Sequence, residues 1–320
     1  MVPGGWCMRW FLRAAPALLL VLLSVSACAP VPPGPTQTSG SPTPNGETAP
    51  PATTTSAMEP EGGWPGPDNT GVPDGTRLSP YTGDCVVTTP GAVIDAAEVD
   101  CDLSVRAVGV VITRSRINGS VNVRNPEDGF SFTITDSEVH IGDRLATGLG
   151  NGNFTATRVE VTGGRRSAYC QTDCTIERSW LHAQSGDPGG EAHLSAVRMG
   201  QNTSILINTI VCEADRIPPA SGCSAALTGY GDFAPVVNNL IEGNLFQSGT
   251  ASFCAFGGST KDKPFSGDAA NIRFIGNVFQ RNEDGTCGIH GPIVAFDPEA
   301  PGNVWEGNVW DDGEPVPWRN

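Results

Sequence analysis

His193 and Arg198 stand close together in His193-Leu194-Ser195-Ala196-Val197-Arg198, which places a proton acceptor and a permanent cation on one short segment. Tyr230 and Asp232 alternate in Gly229-Tyr230-Gly231-Asp232-Phe233, and His290 follows Gly288-Ile289. Lys261 and Lys263, separated by one residue, are the only lysines of the chain. Such groups fit two kinds of polymer cleavage. β-Elimination next to a carboxylate needs a cation to neutralise it and a base to remove the adjacent proton. Arg198 or the lysines would serve as the cation, and His193, His290 or Tyr230 as the base. Hydrolysis of a glycosidic bond needs two carboxylates across it, for which Asp187, Glu191, Asp232 and Asp268 are candidates. His182 and His193 bracket the segment holding Asp187 and Glu191, and His182, Asp187, Glu191, Asp232, Lys261 and Lys263 are candidate binding groups. The plain alternatives are a structural hydrogen bond for each histidine and a solvated loop for the two lysines.

The elements that must position these residues are repeated. An Asn with an apolar residue three before it and another two after it recurs at Asn208, Asn244, Asn277 and Asn308. The same frame surrounds Ser115, Ser137, Val159 and Ser179, and the eight centres are 22, 22, 20, 29, 36, 33 and 31 residues apart. Turn residues break each apolar run within a few positions, so the unit is built of strands. Strands stacked unit on unit would put the asparagines in a vertical file, bonding amide to amide. The spacing predicts an all-β solenoid, a single right-handed parallel β-helix; the leucine-rich alternative lacks its consensus.

A second strand also repeats: Ala168-Tyr169-Cys170, Ala196-Val197-Arg198, Ala226-Leu227-Thr228, Ala255-Phe256-Gly257 and Gly288-Ile289-His290. Alternation turns the large middle residue inward and leaves an outer trough of Ala168, Ala196, Ala226, Ala255 and Gly288, with Arg198 and His290 on its other side. Insertions at residues 229–238, 257–271 and 291–302 fall at one point of successive units and form a wall beside it. An elongated trough suits an extended polysaccharide.

Residues 1–27 carry Arg9 and Arg13 before a short apolar run, the pattern of a signal peptide. Val25-Ser26-Ala27-Cys28 resembles the bacterial lipobox, which implies cleavage before Cys28 and a lipid anchor on it, hence the outer face of the cell membrane or secretion. The plain alternative is an ordinary secretory signal with an incidental cysteine. Residues 28–65 are rich in Pro, Thr, Ser and Gly and form a disordered tether. Residues 66–320 form the folded domain, expected to be a monomer. The chain has net charge −15, about −17 once Arg9 and Arg13 leave with the signal, which argues against nucleic acid as a partner.

Eight cysteines remain in the mature domain, an even set that reads as disulfides in an exported chain. Spacing suggests Cys85 with Cys101, Cys170 with Cys174, Cys212 with Cys223, and Cys254 with Cys287. A metal at Cys170 and Cys174 would lack a second ligand pair. No cofactor is called for; calcium could join through loop carboxylates, although no dedicated calcium loop is visible.

Gly71-Val72-Pro73-Asp74-Gly75-Thr76, Val197-Arg198-Met199-Gly200, Leu227-Thr228-Gly229-Tyr230-Gly231-Asp232-Phe233, Pro301-Gly302-Asn303-Val304-Trp305 and Trp310-Asp311-Asp312-Gly313 resemble the pectin-lyase-like superfamily of right-handed β-helices. They also look like secreted β-helix proteins of high-GC Gram-positive bacteria. The resemblance implies the fold over most of residues 66–320 and, by the habit of that superfamily, binding and cleavage of an acidic polysaccharide. No catalytic set carries over. Asn208-Thr209-Ile210 lacks the hydrolase carboxylate, Gly288-Ile289-His290-Gly291 is interrupted, and Asp311-Asp312 comes too late. Arg216-Ile217-Pro218-Pro219 lacks the second arginine of the pectate-lyase motif. Polysaccharide lyase or glycoside hydrolase chemistry is therefore one expectation, and a non-catalytic carbohydrate-binding or structural surface protein is the other.

Overall fold

The computed structural model describes residues 59–318. The expected signal peptide, Cys28 and most of the expected tether lie outside the described residues. The described residues just ahead of residue 66 already make regular turns. Gly63 donates its amide to Pro60 (2.9 Å), and the Asn69 side-chain amide donates to the carbonyls of Gly62 and Trp64 (3.1 and 3.2 Å).

The described chain is all-β with long parallel sheets and two short 3-10 turns. It passes in strict rotation through three ladders. The first has ten strands, from Ser79–Pro80 to Val309–Trp310. The second runs from Val86–Val87 to Ile293–Val294 and the third from Val93–Asp95 to Val304–Glu306. Arg166–Glu177 and His193–Leu206 each run through both, which joins them into one 16-stranded sheet.

Each pass turns from the third ladder into the first on one left-handed residue. Ala96, Arg114, Asp136, Arg158, Arg178 and Ile207 have φ of 47 to 56°, and Gly243, Gly276 and Gly307 continue the series at 59 to 64°. A left-handed corner costs a side-chain-bearing residue about 1–2 kcal/mol, and the residue that follows offsets it. That residue is the repeated polar position. Asn208 donates its backbone amide to Asn244 Oδ1 (2.9 Å), Asn244 to Asn277 (3.0 Å) and Asn277 to Asn308 (3.0 Å). Their side-chain amides repeat the step at 2.8–3.0 Å. All four are buried. Upstream, Ser115, Ser137 and Ser179 accept the same backbone amide with a hydroxyl. The expected file is present.

Inside the turns, Ile112, Ile134, Ala156, Ile176, Ile205, Ile241 and Phe274 form one fully buried register column. Ile117, Val139, Val161, Leu181, Ile210, Phe246 and Phe279 form the facing one. At the far end the chain reverses: Val309 bridges Pro315 antiparallel, Val316 donates to the Asn308 carbonyl (3.0 Å), and Trp305 Nε1 donates to the Val316 carbonyl (2.8 Å).

The trough of small residues is absent. Ala168, Ala196, Ala226 and Ala255 are all buried, 0–1 % exposed. The second ladder pairs Ala168 with Val197, Val197 with Leu227, Leu227 with Ala255 and Ala255 with Ile293. Val197 and Leu227 face inward as expected, but Tyr169 and Phe256 turn outward, since their rungs sit one residue off the assumed alignment. Gly288-Ile289-His290 is no strand; Ile293–Val294 takes that rung, and Ile289 is exposed. The outer column is therefore Tyr169, Arg198 and Thr228, with large groups in place of methyls.

Three expected disulfides are present: Cys85–Cys101, Cys212–Cys223 and Cys254–Cys287, with Cα separations of 6.2, 5.9 and 5.7 Å. The fourth is a correction. Cys170 and Cys174 are free, buried thiols. They lie on either side of the left-handed corner at Asp173 and fill the core beside Met199 and Thr203, acting as small apolar side chains.

Candidate functional site

The outer column and the loops beside it enclose a cavity of about 380 Å³. Arg166 opens the strand Arg166–Glu177, and Arg198 lies in the next strand, in register with Tyr169 below and Thr228 above. Tyr230 and Asp232 follow the strand Gly222–Gly229, and Lys263 comes from the loop of the next unit. Gly231 lets these two loops touch: a Cβ there would lie 2.8 Å from the Phe265 backbone, whose amide donates to the Gly231 carbonyl (3.0 Å).

Asp232 ties the loops to the sheet. Its carboxylate takes Arg198 Nη2 at 2.8 Å and Lys263 Nζ at 2.9 Å. Burial opposes ionisation of Asp232, but the hydrogen bonds from Lys263 and Arg198 outweigh it and hold its carboxyl below the usual range. The Arg198 guanidinium lies 5.3 Å from the ring centres of both Tyr169 and Tyr230, and Lys263 is 5.7 Å from Tyr230. Tyr230 is pushed above the ordinary phenol range by burial; its bond to the Ser224 side chain and the two cations pull the other way.

Two arginines complete the site. Arg165 and Arg166 both line the cavity, and Arg166 is only 8 % exposed. Its Nε donates to Ser195 Oγ (3.3 Å), its guanidinium lies 5.3 Å from the Tyr169 ring, and among the described residues it makes no ion pair. Burial, then the charges of Arg165 and Arg198, pull its pKa down to about 10. Arg165 Nε has no hydrogen-bond partner among the described residues. Four cations thus line the cavity with one carboxylate, in a chain of net charge −15. Burying like charges without counter-charge is unfavourable, so the arrangement is poised to accept an anion.

A second chamber of about 320 Å³ adjoins the first. The two share His193 and Ser224; the rest of its lining is residues 216–223 and Ser252. Residues 212–223 form a closed wall. The Cys212–Cys223 disulfide clamps the base, Ile217 and Ser221 bridge across it, and Ser221 donates to the Gly190 carbonyl (2.8 Å).

Of the groups singled out from sequence, His193, Arg198, Tyr230, Asp232 and Lys263 come together. The others do not. His182 Nε2 contacts Glu160 Oε1 at 3.0 Å and its ring stacks on Trp180 at 3.5 Å, on the first ladder. Asp187 accepts the amides of Gly189, Glu191 and Ala192 and so shapes its own loop; those bonds lower its pKa, with Arg165 adding a smaller attraction. Glu191, Lys261 and Asp268 are exposed and line neither chamber. His290 packs near Phe253, 5.6 Å between ring centres. The sequence reading missed Arg165 and Arg166. Their signal was the chain's one adjacent pair of basic residues, just ahead of the Ala168-Tyr169-Cys170 repeat.

No protein-family model, curated protein or solved structure matches this chain.

Proposed function

We propose that this chain is an extracytoplasmic protein, lipid-anchored through Cys28, whose three ladders form a right-handed parallel β-helix and whose cationic cavity holds an acidic polysaccharide. The handedness follows from the general rule for parallel crossovers. One observation carries the ligand class: Arg166 is almost completely buried beside Arg165 and Arg198 without a carboxylate of its own. Guanidinium groups read carboxylates with paired, directional hydrogen bonds, and Tyr169 and Tyr230 offer ring faces nearby.

The same groups support elimination better than hydrolysis. Hydrolysis needs two free carboxylates, and the cavity presents only Asp232, already bonded to Arg198 and Lys263. In elimination, Arg166 and Arg198 neutralise a uronate carboxylate and so acidify the proton on the adjacent C5. His193 takes that proton, the C5–H electrons become the C4–C5 double bond, and the C4–O bond breaks. Tyr230, kept protonated by its raised pKa, gives its proton to the departing oxygen.

The test is a panel of uronic-acid and neutral polysaccharides. Affinity electrophoresis reads binding, ultraviolet absorbance reads unsaturated ends, and a reducing-end assay reads hydrolysis. Retardation by acidic polymers alone is expected. Equal or absent retardation across the panel would overturn the reading. Binding with silence in both cleavage assays would make the protein a carbohydrate-binding surface protein without turnover.

A further inference from the structure

The polysaccharide reading uses only the first chamber; the second has its own chemistry. Arg216 lines it with Nη2 donating to Ser252 Oγ (3.1 Å), and among the described residues Arg216 makes no ion pair. No carboxylate lines this chamber. Ser221, 5 % exposed, belongs to the same lining, and its hydroxyl has no partner among the described residues. The wall carrying both residues is fixed by the Cys212–Cys223 bridge and by the bonds to the 190–192 segment: Ala220 and Ser221 donate to the Gly190 carbonyl (2.7 and 2.8 Å) and Gly222 to that of Ala192 (3.3 Å). A wall fixed before the ligand arrives does not have to be ordered by it.

Resting on the reading above, we propose that the second chamber is a binding position for the neighbouring acidic unit of the same polymer, with Arg216 as its anion contact. Three observations point the same way. The chambers are contiguous, sharing His193 and Ser224. Each holds an arginine with no carboxylate partner, Arg166 in one and Arg216 in the other. Their volumes, about 320 and 380 Å³, are similar, as consecutive units of one polymer require. His193, common to both, stands at the junction between the units, where the bond joining them would lie. The first chamber sets affinity for a single anionic sugar. The second makes the protein read a chain of them.

The experiment titrates the full chain calorimetrically with galacturonate and with its linear trimer, using polygalacturonate as the parent polymer. The trimer is expected to bind at least about tenfold more tightly than the monomer, the worth of one further charge-assisted contact. Arg216→Ala should remove that gain and leave monomer affinity unchanged, Arg216→Lys should restore part of it, and Arg166→Ala should weaken both ligands. Arg216 is exposed and outside the core, so its variants are expected to keep the wild-type circular dichroism spectrum and melting curve. A trimer that binds no better than the monomer, or that binds Arg216→Ala as it binds wild type, would overturn the second position while the polysaccharide reading stands. If monomer, trimer and parent polymer all fail to bind, the reading beneath it fails and the second position falls with it.

Discussion

Arg166 shows why a side chain's surroundings matter more than its type. On the surface it would be one of many solvated cations; here Tyr169, Ser195 and two further arginines take most of its water away. Its replacement by Ala is expected to weaken acidic-polymer binding roughly 10–100-fold, the range of one charge-assisted hydrogen bond, and Arg198→Ala should do the same. Affinity electrophoresis with polygalacturonate reads both losses. Lys at 166 should recover little, because an ammonium cannot present a planar fork from inside the wall. Glu138 poses a different test, on the first ladder. Its hydrogen bonds to His140 and then Arg116, aided by the Val72 amide, depress its pKa from 4.5 to about 2 against the pull of burial. A depressed carboxyl stabilises the fold above its unfolded pKa, and that stability is lost as pH falls from 4.5 toward 2. The loss should reach about 3 kcal/mol, read by urea unfolding, and Glu138→Gln should flatten the profile. At this scale much of the site was legible. Arg198 stood out in a repeated strand frame, and Tyr230, Asp232 and Lys263 as the few polar groups of the inserted loops. Arg165 and Arg166 did not, because nothing local marks Arg166 as buried; the next two strands and the long loops do that.

The elements were legible where their periodicity was strict. The Asn column could be read because one residue type recurs beside the corner that needs it. Its energetics are testable: Asn244→Ala leaves the Asn208 amide and the Asn277 oxygen short of a partner inside a buried stack. The expected loss is about 2–4 kcal/mol, while Asn244→Ser should cost less, since a serine hydroxyl accepts the same amide at Ser115 and Ser179. Chemical denaturation measures both. The second column was misread because alternation fixes faces only within a strand whose register is known. A one-residue slip sent Tyr169 and Phe256 to the wrong side and put Ala168 and Ala255 on the exterior, whereas Ala196 and Ala226, beside the inward Val197 and Leu227, are buried without any slip. The Cys254–Cys287 pairing was right for a reason that does not hold. Ala255 pairs with Ile293, so Cys287 reaches its partner from a loop. Cys170 and Cys174 were paired on proximity along the chain, yet the corner between them lets each fill the core as a thiol.

At the scale of the whole molecule, stacking gives the chain a uniform interior and confines its variety to insertions, which is why fold and site were unequally legible. Repetition announces the interior, whereas the cavity depends on strands and loops of unlike sequence meeting across four successive units. Stacking also has a direction. Parallel layers can in principle go on accepting layers, and the last one would offer a row of free peptide groups to any strand that arrived, including one from a second molecule. The segment after Trp310 doubles back antiparallel over that layer, with Val316 bonded to Asn308 and Trp305 bonded to Val316. An antiparallel strand presents the wrong polarity for the next parallel layer, so it acts as a terminator of growth. Removing residues 313–320 should therefore turn a self-limiting particle into the seed of a filament, seen as a mass in light scattering that climbs with protein concentration while that of the intact chain stays level.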